Sequence, residues 1–229
     1  MRDDSVRWVR DDPGAPDDGF AEAYASLPDA TRLEPWLRWC RAAEPPVLYA
    51  GVGAGRLAVP LARAGVDLVG VDPHPGMLER LRPRLPGVEL HQSRIEDLAG
   101  ERRFDLVIGP AQVLGGAARL RAAARLAGRR VGLELVNPHW LAAGGGGGTR
   151  VRSLTRDRAV VEIDYPGGVR QLAEVELVWP EALERHLDAA GLELELLTGS
   201  DPAARLEECP TFLALTEVWP PRAAGWRGP

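Results

Sequence analysis

Between residues 47 and 136 short apolar runs and helix-like segments take turns, and that alternation restricts the fold more than any other feature of the chain. Val47 to Ala50, Leu68 to Val71, Val88 to Leu90, Phe104 to Ile108 and Val131 to Val136 have strand length and are rich in aliphatic and β-branched residues. Arg56 to Ala64, Pro75 to Leu85 and Ala117 to Leu126 carry helical spacing between them. Strands separated by helices pair in parallel, because the crossover returns the chain to the same edge, and such a sheet is covered on both faces. The expected core is therefore α/β, a doubly wound and mostly parallel sheet.

The flanks read differently. Residues 1 to 18 are rich in Asp, Pro and Gly, a composition that buries little, and a loose arm is expected there. Residues 19 to 43 set Tyr24, Leu27, Leu33, Trp36, Leu37 and Cys40 on apolar stripes around a break at Pro28, which predicts two short helices. Residues 44 to 140 form the core. After it, Gly144 to Gly148 is flexible punctuation. Val161, Ile163 and Tyr165, then Val175, Leu177 and Trp179, recur at every second position, as half-buried antiparallel strands do, with Gly167-Gly168 at the turn. Pro180-Glu181 opens a helix that Gly191 ends, and Leu192 to Leu197 and Phe212 to Val218 read as strands. Residues 141 to 229 thus hold an antiparallel insertion, a helix and the final strands of a single domain.

Within the core, Val47-Leu48-Tyr49-Ala50 feeds Gly51-Val52-Gly53-Ala54-Gly55, a strand running through a glycine-rich turn into a helix. Glycine suits a backbone that must turn sharply and let a ligand approach without a Cβ in the way, and a helix start supplies unpaired N–H groups. A dinucleotide-binding G-x-G-x-x-G would need glycine at position 56, where this chain has Arg56. Seventeen positions past Gly55 the second strand ends in Asp72, whose carboxylate can accept two hydrogen bonds from a ribose diol or can cap the helix entered at Pro73.

The net charge of −5 and pI near 5.5 provide no overall attraction to nucleic acid or an anionic membrane surface, which favours a small-molecule partner. All the basic residues are arginine. No stretch approaches the ~18 apolar residues of a membrane span, and Met1-Arg2-Asp3-Asp4 opens no signal peptide. Cys40 and Cys209 match no metal or CxxC spacing, and His74, His91 and His186 share no ligand spacing with them, so no metal and a reduced cytoplasmic setting are expected. Oligomeric state is not encoded in any of these features.

Taken together, Val47 to Gly55, Val69 to Met77, Phe104 to Ile108, Leu133-Glu134-Leu135-Val136 and Pro180-Glu181-Ala182-Leu183 to Gly191 resemble the S-adenosylmethionine-dependent methyltransferases of the Rossmann-like class I. The resemblance implies that Gly51, Gly53 and Gly55 hold the methionine end of that cofactor and that Asp72 binds its ribose. It also sets Met77 near the adenine, though ordinary helix-core packing is an equal alternative. Likeness to similar chains makes the helices of residues 19 to 43, Tyr24 included, a lid over the pocket, with simple packing an equal alternative. Two positions depart from the family. Tyr49 stands where an acid commonly helps bind the methionine amino group, and Arg94 stands where an acid often contacts the adenine amino group. The Ile95 backbone N–H and apolar packing are then left to hold the adenine.

The resemblance also turns the loop Gly109-Pro110-Ala111-Gln112 toward the methyl group. It lacks the Asp/Asn-Pro-Pro-Tyr pattern of amino-group methylation on nucleobases and protein side chains, and Gln112 either lines the cofactor pocket or caps a helix. Methyl transfer from a sulfonium needs positioning more than acid–base help, so no fixed catalytic residue is expected. His139, after the fifth strand, is the best-placed general-base candidate by pKa, with an ordinary surface-loop histidine the favoured alternative. The resulting expectation is a methyltransferase acting on a small molecule. The alternative is a cofactor-binding or regulatory protein of the same fold, motivated by Tyr49 and Arg94. A nicotinamide-dependent oxidoreductase is disfavoured by Arg56 and by the antiparallel ending.

Overall fold

The computed structural model describes residues 6–12, 14–98 and 102–219, so the segment Met1 to Asp4 and everything past Trp219 lie outside it. In chain order, β1 is Arg7–Val9, α1 Asp18–Ala25, α2 Trp36–Arg41, β2 Val47–Ala50, α3 Ala58–Arg63, β3 Leu68–Asp72, α4 Pro75–Leu81 and β4 Glu89–Gln92. A 3-10 turn at Ile95–Asp97 leads to β5 Phe104–Gly109, α5 Ala117–Leu126, β6 Ala127–Val136 and α6 Pro138–Ala142. The remainder is β7 Gly145–Gly146, β8 Thr149–Leu154, β9 Arg158–Tyr165, β10 Val169–Glu176, α7 Leu183–Asp188, β11 Leu192–Gly199 and β12 Thr211–Val218.

The main sheet has seven strands in the order β11-β12-β6-β5-β2-β3-β4. The pairs β2 with β3, β3 with β4, β2 with β5 and β5 with β6 are parallel, while β12 runs antiparallel to both β6 and β11. The chain winds outward from β2 to β4 and then restarts at β5 on the other side of β2, so the order reverses between β2 and β5. Ligands of open α/β sheets sit beyond the carboxyl ends of the strands at such a reversal. The glycine loop leaves β2 there.

Both faces are covered, which is why β2 and β3 are buried along their whole length and read as unbroken apolar runs. On one face Leu61 of α3 and Leu78 and Leu81 of α4 pack with Trp36 and Trp39 of α2 against Tyr49, Ile108 and Leu213. Gly132 makes room for the tryptophans, since a Cβ there would meet Trp39 at 3.1 Å and Trp36 at 3.3 Å. On the other face Leu120 and Ala123 of α5 and Leu183 and Leu187 of α7 pack with Phe212.

The second sheet, in the order β1-β10-β9-β8-β7, stands apart from the first. Three of its strands depart from expectation, the first being β7, which pairs with β8 inside the Gly144 to Gly148 run expected as flexible punctuation. Residues 1 to 18 were expected as a loose arm, yet β1 pairs in parallel with β10, Arg7 opposite Val169, and Val9 is buried against Phe20. The Asp17 carboxylate secures this arm by accepting from Arg10 N at 3.2 Å while it caps α1 through Gly19 N at 2.9 Å. β8 was not expected either, because its Arg150 and Arg152 obscure an alternating pattern. Both arginines reach across to the buried Glu162 on β9, at 3.3 and 2.5 Å. The antiparallel pair β9–β10 turns at Gly167, with φ +74°, as expected, but β10 stops at Glu176, short of Trp179.

Candidate functional site

The carboxyl ends of β2, β3, β4 and β5 border a cavity of about 300 Å³, roofed by the N-terminal arm and α1. That volume lies at the lower end of the range for small-molecule sites, about 300–1,000 Å³. Five of the residues expected at a site line it: Gly51, Gly53, Asp72, Met77 and Ile95. Gly55 and Gln112 do not border it.

The three loop glycines adopt left-handed backbone, with φ of +67° at Gly51, +54° at Gly53 and +89° at Gly55, but each is glycine for a different reason. A Cβ on Gly51 would lie 2.4 Å from Val113 Cγ2, and one on Gly55 would lie 2.4 Å from Leu81 Cδ1. Gly51 therefore brings β2 against the loop after β5, and Gly55 seats the start of α3 on α4. Gly53 has ordinary room, 3.4 Å to Tyr24 Cε1, and presents its open face to the cavity.

Asp72 is buried, 7% exposed, and each carboxylate oxygen already holds a backbone donor. Gly53 N donates to Oδ2 and His74 N to Oδ1, both at 2.8 Å. The carboxylate thus pins the glycine loop to the entry of α4 while it borders the cavity. Burial lifts its pKa, against the two N–H groups and His74, which lower it.

Met77 on α4 and Ile95 after β4 are both buried, and with Val113 they supply apolar lining to the cavity. Ser93 N is held by Asp72 O at 3.2 Å, which anchors the turn that carries Arg94 and Ile95. The lining also contains Ala111, from the loop expected to face the methyl group, and residues that the sequence did not indicate, including Asp11, Phe20, His74 and Arg119. His74 is legible in hindsight as the residue entering α4, and its Nε2 donates to Asp17 O at 3.1 Å, joining the turn after β3 to the arm. Asp11 had no signal, since its place depends on the pairing of β1. Burial first, and the Asp72 carboxylate second, raise its pKa.

Other candidates lie elsewhere. Gln112 accepts from Val136 N at 2.6 Å and donates to Glu176 O at 2.7 Å, a link between the two sheets. His139 meets Glu181 at 3.2 Å and the edge of Trp179 at a ring separation of 4.9 Å, away from the cavity. Tyr49 is buried in β2, and burial holds its hydroxyl well above the ordinary tyrosine range, so it offers no anion at neutral pH. Among the described residues no group of three or more His, Cys, Asp or Glu side chains converges as a metal site would, and no helix is long and apolar enough to cross a membrane.

Residues 47–129 match the family model described as a methyltransferase domain. A ubiquinone biosynthesis O-methyltransferase from Azorhizobium caulinodans is 33% identical over 164 residues, 67% of this chain, and the chain spans 60% of that relative's length. Among solved structures, an S-adenosylmethionine-dependent methyltransferase from Clostridium acetobutylicum superposes with a TM-score of 0.66 at 13% identity, covering 89% of this chain and 99% of its own. The CcbJ methyltransferase from Streptomyces caelestis superposes with a TM-score of 0.61 at 22% identity, covering 91% and 98%. Residues 47–129 thus match a methyltransferase domain, and the fold of the chain is that of S-adenosylmethionine-dependent methyltransferases of the Rossmann-like class I.

Proposed function

We propose that the protein transfers a methyl group from S-adenosylmethionine to a small protic acceptor, bound where the arm, α1 and the second sheet meet the cofactor cavity. The observation that carries this is the cavity itself: the open face of Gly53, the buried Asp72 carboxylate, and an apolar slot lined by Met77, Ile95 and Val113. In this assignment Asp72 accepts from the ribose hydroxyls, the slot takes the adenine, and the glycine loop lies along the methionine end. Bound there, the cofactor supplies an activated methyl group whose leaving group needs no proton. What remains for the chain is to orient the acceptor, exclude water and receive any proton it loses.

Titration with S-adenosylmethionine and S-adenosylhomocysteine tests the cavity, and both are expected to bind. Absence of binding at about millimolar ligand, a bound of about −4 kcal/mol, would remove the assignment. Because the relative from Azorhizobium is named for O-methylation in ubiquinone biosynthesis, hydroxylated aromatic rings are the first acceptors to offer. Formation of S-adenosylhomocysteine is the readout.

Asp11 supports the location of the acceptor. It borders the cavity that Asp72 also lines, and its pKa is raised, a combination that marks functional positions. Asp11→Asn is expected to lower turnover while cofactor affinity holds. A turnover equal to wild type would remove Asp11 from the acceptor site.

A further inference from the structure

Ala111 and Gln112 are consecutive and both left-handed, at φ +53° and +70°, and among the described residues no other non-glycine residue is. Such a pair persists only where its surroundings over-determine it, and strained backbone of this kind collects at functional sites. The surroundings are specific. Glu134 on β6 accepts from Ala111 N at 3.0 Å through Oε2, and its main-chain oxygen accepts from Gln112 N at 2.9 Å. Its other carboxylate oxygen takes the Thr211 hydroxyl of β12 at 2.8 Å. Gln112 completes the hold through Val136 N and Glu176 O.

The loop held this way is part of the cavity. Ala111 and Val113 border it beside Gly51, and the Val113 methyl groups occupy the space a Cβ on Gly51 would need. The left-handed pair is what carries the chain from the end of β5 back toward β2, so its backbone decides where this wall stands. Gln112 in turn fastens the wall to the last residue of β10, the strand on which β1 pairs.

We propose that Glu134 and Gln112 are positioning residues: they hold Ala111 and Gln112 in left-handed backbone and so set the cavity wall beside the glycine loop, with Gln112 linking that wall to the second sheet. This rests on the assignment of the cavity to S-adenosylmethionine. Neither side chain touches the reacting atoms. Their effect is on the fraction of molecules whose cavity has the binding shape, and apparent affinity falls by that fraction.

The test is a rescue. Glu134→Ala leaves Ala111 N without its acceptor, and cofactor affinity is expected to fall about tenfold as the loop relaxes toward right-handed backbone. Ala111→Gly in the same chain is expected to restore affinity to within about threefold of wild type, because glycine adopts the left-handed conformation unaided. Glu134→Gln keeps an oxygen for Ala111 N and an N–H for the Thr211 hydroxyl, and is expected to resemble wild type. Affinity is read by titration with S-adenosylhomocysteine, and thermal unfolding of each variant identifies those that are folded.

A folded Glu134→Ala chain with wild-type affinity would overturn the clamp alone, as would a double variant no better than Glu134→Ala. If Glu134→Ala does not fold, Gln112→Ala tests the same hold from the other residue: the clamp predicts weaker binding that glycine at 111 recovers, and unchanged affinity overturns it. Wild-type protein that binds no cofactor would overturn the cavity's assignment, and the clamp with it.

Discussion

Gly51→Ala is expected to remove most cofactor binding and to lower stability by about 3 kcal/mol, combining left-handed backbone for a residue with a Cβ, about 1–2 kcal/mol, with overpacking, about 1–3 kcal/mol. The steric part arises because the added Cβ would sit 2.4 Å from Val113 Cγ2, inside a wall held by β5 and β6. For a chain of this size the unfolding temperature is expected to fall by roughly 6–12 °C. Val113→Ala in the same chain removes the clashing methyl groups and is expected to recover the steric part only. Gly53→Ala supplies the contrast. Its Cβ would meet Tyr24 at an ordinary 3.4 Å, so stability loses only the backbone contribution, about 1–2 kcal/mol, while the methyl enters the cavity and binding still falls. Equal stability losses at the two glycines, measured by chemical denaturation, would show that the Val113 contact does not govern Gly51.

The second large effect is expected at Asp72. Asp72→Asn keeps the size of the side chain but turns an N–H toward either Gly53 N or His74 N, both of which now donate to a carboxylate oxygen at 2.8 Å. An unpaired buried donor costs about 1–3 kcal/mol, so stability is expected to fall by that amount. Cofactor affinity is expected to fall about 10–100-fold, since the ribose loses an acceptor and the glycine loop its anchor. The pH dependence separates the two roles. Burial raises the Asp72 pKa, so protonation begins above the ordinary carboxylate range. As the pH falls through that value, wild-type affinity is expected to decline, while relief of the buried charge opposes any loss of stability from this group. In Asp72→Asn the acid limb of binding is expected to vanish. Persistence of that limb in the variant, followed by titration calorimetry, would assign it to another group.

These expectations draw on two kinds of information. The main sheet was legible because its signals are local. Each buried strand is a short apolar run, each crossover has helical spacing, and the turn at Gly51 to Gly55 needs residues that accept positive φ. The second sheet was legible only in part. The period-two pattern of β9 is plain in Val161 and Ile163, whereas β8 alternates arginine with half-buried residues and is ordered by pairing across the sheet to Glu162. β1 is shorter still, and its strand character comes from an edge on β10 more than 150 positions away.

The same division runs through the site. The residue types and spacing of the sequence already determined the parallel core, the glycine turn at its reversal point and the acid that ends the second strand, because periodicity, backbone freedom and strand-end chemistry act over a few neighbouring residues. Only the tertiary structure decided that Asp72 anchors the loop as well as facing the cavity, that Gln112 turns to Val136 and Glu176, and that Asp11 reaches the cavity at all. Those outcomes depend on which donor or strand edge comes within about 3 Å of a given group, a matter of long-range packing that side-chain identity alone leaves open.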